Sequence, residues 1–216
     1  MGWSRNRGQL VWNGVIGAIL MASTSLPVSS SPLVLAPNGG LSSSGSFLHG
    51  VSEDIISDYE DLASYSGDVD NLSEIEIVNS FDSVVIVSQK SHGPGAGNRS
   101  RVRQEGVSNT ALVGQKGNNN VAYINQEGDN NAAAVGQLGF NGEALVNQQG
   151  DNNLALLGQA NFSGSPNRLS INQKNDNNIA LVVAGGGANL GISQDGGDAA
   201  IINASSAMRV YINQAN

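Results

Sequence analysis

The sequence predicts an all-β fold: a β-solenoid of stacked two-strand coils, amyloid-like, preceded by a disordered acidic segment. Three observations predict it. Glutamine recurs every eleven residues, at Gln104, Gln115, Gln126, Gln137, Gln148 and Gln159, without a slip. Between these glutamines, residues of like parity have like character. Aromatic residues are 5% and charged residues 13% of the chain while hydrophobic content stays at 39%. That composition is too apolar for disorder throughout and suits a coil too narrow for large side chains.

The series runs on beyond the strict stretch. Gln173 follows after fourteen residues, the extra three falling in Ser163-Gly164-Ser165-Pro166. Ala184, Gln194, Ala204 and Gln214 come next, at spacings of eleven, ten and ten. Upstream, Gln89 continues the series, with Asn79 as a further candidate and a Gly93-Pro94-Gly95 insertion before Gln104.

Each unit has one internal pattern. Counting from Gln115, glycine stands at +2 (Gly117), asparagine at +5 (Asn120), alanine at +7 (Ala122), an aliphatic at +9 (Ile124) and glutamine again at +11. Asn109, Asn131, Asn153 and Asn178 fill the asparagine place in other units, and Val113, Val135, Val146, Leu157, Ile171 and Val182 the aliphatic one. Positions +5, +7, +9 and +11 share parity, so in a strand they point to one face. The Gly-Asp-Asn or Gly-Asn-Asn stretch between them is turn chemistry. The residue before glutamine alternates: Gly114, Gly136 and Gly158 against Asn125, Asn147 and Asn172. Successive strands therefore occupy two faces, and one coil takes 22 residues. About thirteen strands, or six and a half coils, make a body about 30 Å long at ~4.8 Å per coil.

In such a stack each residue lies above its counterpart in the next coil. An amide both donates and accepts, so a glutamine or asparagine can bond its own copies above and below. Gln104, Gln115, Gln126, Gln137, Gln148, Gln159, Gln173, Gln194 and Gln214, with Asn109, Asn120, Asn131, Asn153 and Asn178, are the candidate self-assembly ladders. Gly142, Ala184 and Ala204 interrupt them. The last unit runs from Met208 to Gln214, and no capping helix is expected after it. An open end that repeats the ladder is a template for another copy.

The flanks read differently. Arg5 and Arg7 before an apolar run from Leu10 to Met21, followed by small residues, predict a signal peptide and leader over residues 1–36. Residues 37–71 read as a flexible acidic segment, within which Ile55, Ile56, Tyr59, Leu62 and Tyr65 are spaced for a brief amphipathic helix. The repeat body takes residues 72–216. Ten acidic residues lie between Glu53 and Asp82, and from Ser83 onward eight acidic and eight basic residues balance. A nucleic-acid partner is disfavoured. With no cysteine in the chain, thiolate chemistry is excluded.

The runs Gln104-Glu-Gly106-Val-Ser-Asn109-Thr-Ala111-Leu-Val-Gly-Gln115, Gln115 to Gln126, Gln126 to Gln137 and Gln148 to Gln159 resemble the curlin repeat, Gln-x-Gly-x-x-Asn-x-Ala-x-x-x-Gln. The resemblance covers residues 98–214 well and 75–97 loosely. It implies an extracellular functional amyloid, the curli fimbrium of biofilm matrix and cell adhesion. It also implies export through an outer-membrane secretion channel with assembly factors, and as partners further copies of the chain and a second curlin subunit. The final Ala207-Met208-Arg209-Val210 stretch resembles the degenerate last repeat of a nucleator, while its low charge fits a major subunit; both roles stay open.

Asp129, Asp151 and Asp176 recur on one turn row. Stacked carboxylates about 5 Å apart are either turn formers or charge gatekeepers that slow assembly until protonated or screened. Outside the core, the Gly-Gln strands carry Leu112, Ala134, Leu154, Leu156, Ile179 and Leu181, an apolar stripe expected to bundle fibres or dock on another surface. The Asn-Gln strands carry Tyr123, Glu143, Arg168 and Ser170. For catalysis the inventory is poor: His49 and His92 are paired with no nucleophile or metal-ligand motif, and no enzyme activity and no cofactor is expected. A secreted β-solenoid that binds surfaces or acts on polysaccharide is the alternative reading.

Overall fold

The computed structural model describes residues 48, 50–65, 70–92 and 97–215. The expected signal peptide, His49 and the Gly93-Pro94-Gly95 insertion lie outside the described residues. Among these residues thirteen strands follow one helix: α1 (Glu53–Ser64), β1 (Asn71–Phe81), β2 (Val84–Lys90), β3 (Asn98–Val107), β4 (Thr110–Asn118), β5 (Val121–Glu127), β6 (Ala132–Phe140), β7 (Gly142–Gln149), β8 (Leu154–Asn161), β9 (Asn167–Lys174), β10 (Ile179–Gly185), β11 (Asn189–Asp195), β12 (Ala199–Ala204) and β13 (Arg209–Ala215). Odd strands form one seven-stranded sheet and even strands a six-stranded one, each in chain order. Every pairing is parallel, as a chain that returns to the same sheet once per coil requires.

Register follows the repeat. Val113 pairs with Val135 and Gln115 with Gln137 in the even sheet, and Ile124 with Val146 and Gln126 with Gln148 in the odd sheet. The Ser163–Pro166 insertion is taken up in the β8–β9 connection, so Gln148 still meets Gln173. Between the sheets lie the buried alanines and aliphatics, including Ala111, Val113, Ala122, Ile124, Leu157 and Ile171. Their alternation with outward residues buries one face of each strand.

The turns explain the fixed glycine and the residue just before the fixed asparagine. The +4 residue takes a left-handed conformation, with φ of 56° at Asn119, 57° at Asn130 and 58° at Asn152, a region that asparagine tolerates. At +2, Gly128 has φ of +113°, and a Cβ there would sit 2.3 Å from the carbonyl oxygen of Gly150 in the next coil. Only glycine permits that approach.

Two expectations need correction. Part of the acidic segment is not a disordered tether: Glu53–Ser64 is α1, and its Ile55, Tyr59 and Leu62 pack with Val121, Tyr123 and Leu145 on the outer face of the odd sheet. The amphipathic spacing prevails because a sheet face is there to receive it. Upstream, Ile77 and not Asn79 lies opposite Gln104; Asn79 falls where the β1–β3 register shifts.

Candidate assembly surface

The glutamines of the odd strands form one column. Gln104 Nε2 donates to Gln126 Oε1 at 2.7 Å, Gln126 to Gln148 at 2.8 Å, Gln148 to Gln173 at 2.9 Å, Gln173 to Gln194 at 2.9 Å and Gln194 to Gln214 at 3.1 Å. The even column runs from Gln89 through Gln115 and Gln137 to Gln159, with bonds of 2.7, 2.7 and 2.8 Å. It ends there because Ala184 lies opposite Gln159, and Ala204 opposite Ala184. Each Nε2 has a second task. That of Gln126 also donates to the Thr110 carbonyl, and that of Gln137 to the Val121 carbonyl, at the start of the preceding strand in the facing sheet. The side chain thereby ties the two sheets together and leaves neither proton idle.

The asparagine row works otherwise. Asn109 Oδ1 accepts the backbone N–H of Asn131, Asn131 Oδ1 that of Asn153, and Asn153 Oδ1 that of Asn178. Nδ2 of Asn109 and Asn131 donates to the carbonyls of Gly128 and Gly150. These residues bind the turn of the next coil more than one another. Asn120 does the same toward Gly142 N–H and the Gly139 carbonyl. The break at Gly142 leaves a trace: Asn167, its counterpart one coil on, keeps a buried Nδ2 with no partner. Asn167 was missed as a ladder position because the insertion shifts it three residues out of phase.

A third amide column lies on the outer side of the odd sheet. Asn125 Nδ2 donates to Asn147 Oδ1 at 2.9 Å, and Asn147 Nδ2 to Asn172 Oδ1 at 2.8 Å. Asn172 Nδ2 then donates to the carbonyl of Gly50 at 2.7 Å. The alternation of glycine and asparagine before glutamine was its signal in the sequence. The aspartate row is likewise tied to backbone. Asp129 Oδ1 accepts the Val107 N–H, Asp151 Oδ1 that of Asp129, and Asp176 Oδ1 that of Asp151, at 2.8, 2.8 and 2.7 Å.

The two exteriors differ. On the even sheet Leu112, Leu154, Leu156 and Leu181 are half-buried and Ile179 is exposed, while Ala134 is shielded by its neighbours. On the odd sheet the outward Tyr123 and Ser170 are buried, Tyr123 beneath α1. A polar rim holds the helix. Tyr59 Oη donates to Glu143, which Arg168 meets at 3.1 Å. Tyr123 Oη donates to Asp58 at 3.2 Å. Arg99 donates to the Ala63 and Tyr65 carbonyls, capping the end of α1. Burial, and then the charge of Glu143, hold the Tyr59 phenol well above its ordinary value. Burial and then Asp58 raise that of Tyr123, and burial lowers that of Arg99. His92 sits beside the even column, its N–H on Asn118 Oδ1.

At the ends the stack is uncovered among the described residues. Ile75 and Ile77 of β1 point toward the core side yet are 51% and 47% exposed, and Val210 and Ile212 of β13 are only partly buried. The model of the curlin associated repeat matches four overlapping stretches, residues 95–128, 108–139, 117–150 and 141–174. No curated protein and no solved structure is matched.

Proposed function

Through its repeats the chain belongs to the curlin family, and from that premise we propose that it is a subunit of an extracellular curli-type amyloid fibre that grows by stacking solenoid coils end to end. The observation that supports this most is the pair of parallel sheets threaded by amide columns and ending, among the described residues, in uncovered strands. Unpaired backbone groups at a sheet edge favour another strand, and identical side chains repeated along the axis favour a like one.

On this reading the partners are copies of the chain, a second curlin subunit, and the secretion channel and assembly factors of the outer membrane. The site of action is the cell-surface fimbrium of a biofilm matrix. The glutamine and asparagine columns carry the assembly, and Asp129, Asp151 and Asp176 moderate its rate. A polysaccharide-acting solenoid would need unpaired acid and base groups on one sheet, whereas Arg101, Arg103 and Arg168 are paired with carboxylates.

The test is growth of fibres by the purified chain, read by thioflavin fluorescence and by a fibre-diffraction repeat near 4.8 Å along the axis. A chain that stays a soluble monomer for days at micromolar concentration refutes the reading. Seeding of an authentic major curlin at substoichiometric amounts then distinguishes nucleator from bulk subunit.

A further inference from the structure

The two ends of the solenoid do not match when one copy is laid on another without rotation. The chain changes sheet at every strand, so seven strands stand in the odd sheet and six in the even. Placing β1 of a second copy on β13 leaves one strand level empty between β12 and the second copy's β2. The gap is one strand spacing, about 4.8 Å. It also puts Ile77 over Gln214 and Gln89 over Ala204.

We propose that the second copy docks after a half-turn about the solenoid axis, so that its β2 lies on β13 and its β1 on β12. This deepens the fibre reading and rests on it. No strand level is then missing, and both sheets run on without a break.

The amide columns fit this arrangement in identity and in direction. Each internal rung runs from Nε2 of the earlier glutamine to Oε1 of the later one, over 2.7–3.1 Å. Among the described residues the odd column ends at Gln214, which spends one Nε2 proton on the Ala199 carbonyl and finds no acceptor there for the other. The even column begins at Gln89, whose Nε2 donates to Gln115 while its Oε1 accepts nothing among the described residues. A half-turn sets Gln214 Nε2 against Gln89 Oε1 in the sense of every internal rung. The other end of the odd column is closed to such a bond: Ile77 lies opposite Gln104, and Gln104 Oε1 is buried without a partner.

The apolar positions agree. In the rotated stack Val85 meets Val210, Val87 meets Ile212, Ile75 meets Ile202 and Ile77 meets Ala204. Ile77, half exposed in the single chain, is thereby covered by an apolar residue and not by an amide. Successive subunits are related by a half-turn and a rise of about 31 Å, thirteen strands at half of ~4.8 Å each. α1 and the apolar even face then appear on alternate sides of the fibre.

Cysteine pairs test the arrangement, because the chain has no cysteine of its own. Ser88 on β2 and Asn213 on β13 both point away from the core; they face each other across the rotated junction, whereas Glu76 on β1 faces Asn213 across the unrotated one. Neighbouring parallel strands lie about 4.8 Å apart, within disulfide reach. Fibres of S88C/N213C and of E76C/N213C are grown under reductant, oxidised mildly, and run on denaturing gels without reductant. The expected result is a ladder of covalent multimers from S88C/N213C and monomer from E76C/N213C. Multimers from E76C/N213C, or from neither variant although both form fibres, overturn the half-turn and leave the fibre reading standing. Failure of the unsubstituted chain to form fibres overturns both. If a variant does not assemble, helical reconstruction of unsubstituted fibres decides: a twist near 180° per subunit supports the proposal, and a twist near zero rejects it.

Discussion

Gln126→Ala removes a rung from the middle of the odd column. Gln126 is fully buried. It accepts from Gln104 and donates to Gln148 and to the Thr110 carbonyl, at 2.7, 2.8 and 3.2 Å. Alanine therefore strands one proton of Gln104 Nε2 and the Gln148 Oε1, and takes the side-chain donor from the Thr110 carbonyl, which keeps its place in the ladder with β6. An orphaned buried polar group costs about 1–3 kcal/mol, and long amides can partly re-aim, so the expected loss is about 3–5 kcal/mol. Gln214→Ala at the edge strand β13 strands one proton of Gln194 Nε2, which keeps its bond to the Ile179 carbonyl, and takes a donor from the carbonyl of the exposed Ala199; its expected cost in the single chain is below about 1 kcal/mol. Urea denaturation of dilute monomer, followed by far-ultraviolet circular dichroism, separates the two, since about 3 kcal/mol is more than a hundredfold in the folding equilibrium. Equal losses in both variants, or a Gln126→Ala chain within about 0.5 kcal/mol of the parent, would refute the claim that the interior amides are held by their columns.

Two further predictions concern charge. The phenols of Tyr59 and Tyr123 are raised in the folded chain, by burial first and by Glu143 and Asp58 second. A raised value contributes stability that is complete below the unfolded phenol value near 10 and is lost as pH climbs past it. Docking of α1 should therefore weaken above about pH 10, with Tyr59 and Tyr123 ionising only as helical signal is lost; phenolate absorbance that rises at the ordinary midpoint with α1 intact would contradict this. Replacing Asp129, Asp151 and Asp176 together by asparagine keeps an Oδ1 acceptor for the backbone N–H groups they serve but removes the row of charge. Fibre growth at low salt should be faster than in the parent, and its acceleration by added salt smaller; identical lag times at every salt concentration would dismiss gatekeeping.

Much of the assembly body was legible because repetition makes each coil's environment the same. The parity of Gln126, Ile124 and Ala122 gave their common inward direction, and Gly114 against Asn125 distinguished the two sheets. The roles of the asparagines were less legible. Asn109 and Gln115 are both amides in a column, yet the shorter side chain stops at the turn backbone of the next coil while the longer one reaches its own copy. No spacing rule tells those outcomes apart. Asn167 escaped because an insertion displaced it from the count.

The sequence by itself determined the period, the coil length, the inward set and the two kinds of face, since each follows from local alternation repeated until no other register satisfies it. Only the tertiary structure decided what happens where repetition stops. Tyr123 is buried under α1 and not displayed, because Ile55, Tyr59 and Leu62 come from a segment that shares no period with the strands. Ile77 closes one end of the odd column, because the β1 register is set by pairing with β3 and not by the count from Gln89.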